Sequence, residues 1–268
     1  MFRVFAALTV VLSLTGPVLS DTGLKRLDTG DDSRGWEAVG KLDIDGRGFC
    51  TGALIATDLV LTAAHCLYDK RTGQRIDHAK IEFLAGWRNG RALAYRNIRR
   101  AVTHPDYDYH AAVTSDRVRN DLALLELHHP IKNTQVIPFK TDERPQTGQE
   151  IGVVSYGRDR ADAPSLQEVC DVIRRQEGVL IMSCDVNFGS SGAPIFSFSS
   201  GTPRVVSVVS AMAEVEGQKV SLGTQLQKPL YDLLQALDAG QGAFQSPSPK
   251  MIGAGERRNT GAKFVKTQ

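Results

Sequence analysis

Nowhere in the 268 residues do about 20 apolar residues run together uninterrupted, so no segment has the length of a membrane-spanning helix. The charge balance is also thin. Lys and Arg number 32 against 30 Asp and Glu, and the resulting +2 is too small to mark a nucleic-acid binder. With 25 Gly and 11 Pro, 41% hydrophobic and 23% charged residues, the composition excludes collagen-like and disordered chains. None of the four cysteines stands two residues from another, which argues against a zinc site. No internal repeat of fixed period is present. What is left is a globular chain of one large domain or two, able to bury roughly three quarters of its unfolded surface.

The ends differ from the body. Residues 1–20 carry Arg3, then the apolar run Val4–Leu14, then Pro17 and Val18-Leu19-Ser20. This is the layout of a secretory signal peptide, with a mature chain starting near Asp21. The charge is +1 in that stretch and +4 from Ala239 to Gln268, which leaves −3 on the body. Export makes disulfides the default for Cys50, Cys66, Cys170 and Cys184, with three connectivities open. Local pairing, Cys50 with Cys66 and Cys170 with Cys184, closes loops of about 15 residues, worth roughly 3 kcal/mol each in the chain-entropy picture.

Short apolar or alternating runs recur along the body, among them Phe49–Ala56, Leu59–Thr62, Leu122–Leu127, Ile151–Tyr156 and Val205–Met212, with turn formers such as Asp45-Gly46 between them. The pattern predicts an all-β protein of sandwiches or barrels. A polar stretch with Pro138, Pro145 and Gly148 reads as a linker over 132–149, dividing strands at 36–131 from strands at 150–225. Leu226, Leu230, Leu233, Leu234 and Leu237 make one apolar stripe, predicting a helix over 226–238. Residues 21–35 form an N-terminal segment or a propeptide, and 239–268, rich in Gly, Ser, Pro and Lys, reads as a disordered basic tail.

Three separated stretches carry chemistry. In Leu61-Thr62-Ala63-Ala64-His65-Cys66 a histidine is held next to a cysteine after an apolar strand, rigidly enough for a general base. In Asn120-Asp121-Leu122-Ala123-Leu124-Leu125 an aspartate opens a very apolar strand, where a carboxylate needs a partner such as an imidazolium. In Gly189-Ser190-Ser191-Gly192-Ala193-Pro194 small residues leave a serine hydroxyl open and let backbone N–H groups converge. Taken singly, each has a bland structural explanation. Jointly, in an exported all-β chain, they do not. Asp116, Asp106–Asp108, His128-His129 and the arginines of Trp87–Arg100 read as surface features or strand ends.

Together with Thr103-His104-Pro105, these segments make the chain resemble the trypsin/chymotrypsin-like serine proteases over roughly residues 36–237. The resemblance implies two six-stranded Greek-key β-barrels with the site between them and a closing C-terminal helix. It implies His65 as general base, Asp121 as its orienting partner and Ser191 as nucleophile, with the N–H groups of Gly189 and Ser191 as oxyanion hole. It implies a Cys50–Cys66 disulfide around the histidine, and substrate contacts from Ser210 and Met212. No cofactor or metal is implied. The implied partner is a protein or peptide substrate, with no nucleic acid and no stable membrane insertion; oligomeric state is left open. The alternative is a non-catalytic protease-like binding protein.

Several positions depart from the pancreatic pattern. Ser190 stands where those enzymes carry an aspartate that pairs with a freshly cut N-terminus, and no Ile-Val-Gly-Gly precedes Trp36. Activity without that switch is expected, as in the bacterial glutamyl-endopeptidase-like branch and the periplasmic stress proteases. The disulfide beside the nucleophile is missing; Cys170 and Cys184 would link neighbouring strands instead. Asp185, six residues before Ser191, raises a preference for Arg or Lys before the scissile bond. Val209 stands where glutamyl endopeptidases are expected to place a histidine, so no Glu preference is expected, and Ala211 replaces the usual bulky aromatic next to Ser210 and opens the cleft wall.

Overall fold

The computed structural model describes residues 23–143, 145–215 and 217–242. The expected signal peptide, and the basic tail beyond Gly242, lie outside the described residues. The first strand, β1 (Leu24–Arg26), is followed by β2 (Val39–Ile44), β3 (Gly48–Ala56), β4 (Leu59–Thr62), β5 (Ile81–Ala85), β6 (Ala94–Thr103), the short helix α1 (Ser115–Arg119) and β7 (Ala123–Leu127). Strands β2 to β7 close into a six-stranded barrel in the order β2-β3-β4-β7-β6-β5. The second half holds β8 (Glu150–Gly157), β9 (Arg160–Gln176), β10 (Val179–Met182), β11 (Pro194–Ser197), β12 (Arg204–Val215) and β13 (Gln218–Gln225), then the helix α2 (Gln227–Asp238). The ring β9-β10-β13-β12-β11-β8 closes through a β8–β9 pairing, giving a second six-stranded antiparallel barrel.

The sequence pattern explains both closures. Alternation puts Leu42, Leu54, Val60, Phe83 and Leu125 on one face of the first barrel, all essentially unexposed, and Ile151, Val153, Val172, Leu180, Ile195 and Val206 form the core of the second. Between the barrels lies an aromatic cluster. Trp36 packs edge-on against Phe196 at 5.0 Å, and Phe139 against Phe196 at 4.7 Å. Phe139 belongs to the stretch expected as a linker. That stretch is a strap bonded to both halves, since Phe139 N–H donates to Leu54 O and Asp142 N–H to Val205 O.

Two details differ from the sequence reading. The N-terminal segment contributes β1, which adds to the edge of the second barrel with Leu24 opposite Gln167 and Arg26 opposite Ser165. Its three residues alternate too briefly to be seen as a strand; pairing with β9, not local propensity, makes it one. At the other end, order continues past α2. Gln241 N–H donates to Ala236 O and Ala101 N–H to Gly242 O, so residues 239–242 are tied to the helix end and to β6 although composition had grouped them with the tail.

Candidate active site

Register brings the first two chemical stretches together. Strands β4 and β7 pair antiparallel with Thr62 opposite Ala123. His65 lies three residues beyond Thr62 and Asp121 two residues before Ala123, so both emerge at the same barrel end. His65 lies within a 3-10 turn, Ala64–Leu67, stapled by the Cys50–Cys66 disulfide. Asp121 is 3% exposed. Its carboxylate accepts from His65 Nδ1 at 2.7 Å, from the His65 backbone N–H at 2.9 Å and from Ser210 Oγ at 2.5 Å. A carboxylate this deep is stable only when its lone pairs are so occupied. Ser210 reaches it because the β12–β13 register shifts between Val209 and Ala211.

The third stretch is carried by the second barrel but held by the first. Thr51 on β3 donates its backbone N–H to Ser191 O at 2.8 Å and its hydroxyl to Gly189 O at 2.9 Å. Gly192 sits at φ +78° against the chain leading to His65. A methyl group there would come within 2.1 Å of Thr62 Oγ1 and 2.4 Å of Thr51 O, so only glycine fits. Gly189, at φ +101°, is equally fixed, because a Cβ would fall 2.3 Å from the Phe49 ring. The N–H groups of Ser190, Gly192 and Ala193 are spent on Asn187, Val209 and Ser190 carbonyls. Those of Gly189 and Ser191 have no acceptor among the described residues. Two uncommitted donors beside a serine are what stabilisation of a developing oxyanion requires.

Ser191, Val209, Ser210, Ala211 and Met212 line a pocket of about 180 Å³ together with Val186. Asp185 does not line it. Its backbone N–H donates to Gln167 Oε1 at 2.7 Å, and its charge lies near the buried Arg160. The second disulfide, Cys170–Cys184, ties β9 to the segment following β10. Cys50, Cys66 and His65 present ligand-type atoms within 4.8 Å of one another, but both sulfurs are consumed in the disulfide and His65 Nδ1 is engaged by Asp121. Asp116, read from the sequence as a surface feature, is an exposed partner of Arg119 on α1.

The sequence reading missed Thr51 and Arg160. Thr51 is an unremarked polar residue in an apolar strand, and its clue was that it directly follows a stapled cysteine. Arg160 is 8% exposed, and its guanidinium donates to Ser155 O at 2.5 Å and to Ser190 Oγ at 3.3 Å. Ser190 is fully buried, and its hydroxyl also lies 3.2 Å from Tyr156 O and accepts from Asn187 N–H at 3.3 Å. Burial pulls Arg160 below the ordinary guanidinium range, and the charges of Asp159 and Asp185 oppose that pull. A fixed internal cation therefore braces the loop beneath Ser190.

Arg160→Met tests this positioning role. Leaving Ser155 O and Ser190 Oγ without their donor costs about 1–3 kcal/mol. Removing a buried, loosely paired charge returns several kcal/mol of desolvation, roughly cancelling that loss. We expect little change in Tm but about a tenfold fall in kcat at unchanged KM, because the loop loses its fixed position. Arg160→Lys should recover part of it. An unaltered kcat in Arg160→Met would remove Arg160 from the functional account.

The geometry now has an independent comparison. The family model described as trypsin matches residues 29–228, three quarters of the chain. The chain belongs to the trypsin family. Among trypsin-family relatives, a glutamyl endopeptidase of Bacillus licheniformis is 24% identical over 192 residues, covering 70% of this chain and 58% of the relative. Mast cell protease 3 of Ovis aries is 29% identical over 153 residues, covering 54% of this chain and 56% of its own length. A trypsin of Phaedon cochleariae is 37% identical over 105 residues, covering 38% and 36%. The chain thus spans about half or less of the length of these curated relatives. The solved structure of a Glu endopeptidase in complex with MPD superposes with a TM-score of 0.68 at 18% identity, covering 83% of this chain and all of that one, and shares the two-barrel fold.

Proposed function

We propose that this trypsin-family chain is an exported serine endopeptidase that cleaves peptide bonds through an acyl-enzyme on Ser191. The observation that supports it most is the buried Asp121 carboxylate, bonded to both His65 Nδ1 and the His65 backbone at the junction where the Ser191 loop is clamped. In this reading Ser191 Oγ attacks the scissile carbonyl and His65 takes its proton. Asp121 holds the Nδ1–H tautomer and stabilises the imidazolium. The oxyanion is met by the N–H groups of Gly189 and Ser191. His65 then gives its proton to the leaving amine, and water, deprotonated by the same imidazole, releases the acyl group. Strand β12 offers Ser210–Met212 for backbone pairing with the acyl side of the substrate.

A fluorophosphonate probe tests the reading. Labelling at Ser191 is expected. An intact, folded chain that does not label would instead be a binding protein on a protease scaffold. Export rests on the Arg3, Val4–Leu14 and Ser20 layout and on the two disulfides.

The finer reading, a preference for Arg or Lys before the scissile bond, rests on the place of Asp185 in the sequence. The pocket lining gives it no further support, since it includes Lys70, Val186 and Val209 but not Asp185. Peptides carrying Arg, Lys, Glu, Phe or Ala at that position decide it by kcat/KM. Arg and Lys peptides cleaved no faster than the others would retire the preference.

A further inference from the structure

A groove of about 970 Å³ opens beyond His65, bounded by the Cys50–Cys66 disulfide, Gly189, Phe49 and Phe188. Ser191 does not line it, whereas the smaller pocket beside β12 includes Ser191 and Ser210. Lys70 and Phe188 line both spaces, so they adjoin, with Ser191 and Ser210 on the side of the smaller one and His65 on the side of the groove. In the acyl-transfer reading, on which this inference rests, His65 hands its proton to the departing amine. The chain after the cut consequently leaves over His65 and through this groove.

The groove is basic in a particular way. Seven cationic and four acidic side chains line it. The acidic ones are occupied within the protein. Asp69 accepts from the N–H groups of Arg71 and Thr72, Asp43 from Gly46, Asp77 from Ala79, and Asp45 pairs with Arg47 at 3.3 Å. Four of the cations have no carboxylate partner among the described residues: Arg75, which is spent on Ala101 O, and three more, Lys41, Lys70 and Arg158. All three are parked on aromatic faces. Arg158 lies 4.4 Å and Lys70 5.8 Å from the Phe188 ring centre, and Lys41 lies 4.7 Å from that of Phe49. An aromatic face orients a cation while leaving its N–H donors free for an anion. Phe188 itself is 54% exposed, a large apolar cost at a catalytic cleft unless something covers it.

We propose that this groove binds the segment following the scissile bond and selects acidic side chains there, through Lys41, Lys70 and Arg158. The occupant is a polypeptide because any substrate seated at Ser191 must run on past His65. It is acidic because the free charge in the groove is positive. The chain's own tail does not qualify, being +4 from Ala239 onward.

The experiment uses peptides identical up to the cut and differing in the three residues after it: Asp/Glu, Asn/Gln or Lys. For the wild-type protein, kcat/KM is expected to be about fivefold higher for the acidic set than for the amide set, since each partly exposed pair contributes modestly. In 1 M NaCl the ratio should fall toward one. The variants Lys41→Glu and Arg158→Glu should each shift the preference toward the Lys set. Equal rates for all three sets at low salt overturn the proposal, and this readout needs no variant to fold. Phosphonate labelling is run in parallel, so that a dead nucleophile is told apart from an indifferent groove. If wild type does not label, anisotropy of the same peptides bound to it replaces kinetics, and equal affinities overturn the proposal. Tight binding of an RNA oligonucleotide or heparin, with no discrimination among the peptides, would assign the groove to a polyanion and overturn it as well.

Discussion

Ser191→Ala is expected to lower kcat by about a millionfold and to abolish phosphonate labelling, while the protein stays folded. Six decades correspond to about 8 kcal/mol of lost transition-state stabilisation, the scale found when a nucleophile is removed from an unrelated serine protease. The fold should tolerate the change. The structural bond from Thr51 is to the backbone carbonyl of Ser191, which alanine keeps, and Gly192 remains in its glycine-only conformation. The two donors at positions 189 and 191 also survive, so a residual rate above that in water should persist. Circular dichroism and Tm measured beside single-turnover kinetics check this. If the variant retains more than about one per cent of wild-type kcat, the nucleophile is a different residue.

Asp121→Asn is expected to lower kcat by about ten-thousandfold near neutral pH, with KM little changed. The cause is hydrogen-bond arithmetic. The carboxylate accepts three bonds, from His65 N–H, His65 Nδ1–H and Ser210 Oγ–H. An amide has one oxygen and one NH2. If its oxygen stays on the His65 backbone, its NH2 faces Nδ1 and drives the ring proton to Nε2, where it blocks proton abstraction from Ser191. If it turns round, the backbone N–H of His65 faces another donor inside a buried site. KM should hold because Asp121 is nearly unexposed and touches no substrate. A comparable fall in kcat/KM arising wholly from KM would mean that Asp121 shapes binding and not proton transfer.

The residues proposed for the reaction stood out in the sequence because each lies in a short stretch whose local chemistry is odd: a histidine against a cysteine, an aspartate opening an apolar strand, a serine among glycines. The two barrels were legible from alternation and turn spacing. What the chain did not reveal is everything set by pairing between distant segments. β1 is a strand only because β9 is beside it. Thr51 becomes a clamp only when β3 meets the Ser191 loop 140 residues later. Arg160 carries no mark in the sequence, and its burial depends on where β9 begins relative to Ser190. Asp185 marks the limit of spacing along the chain, because six residues before Ser191 fixes its place in the sequence but not which way its side chain faces.

The clamp has a consequence for how such a molecule can be silenced. Thr51, braced by the Thr62 hydroxyl, grips the far unit's serine segment, and Ser210 of that unit grips Asp121 in return, so each half lends the other a part it cannot supply for itself. Anything that lets the halves part by a few ångströms, such as a nick in the strap carrying Phe139, disarms both at once without altering a single reactive atom.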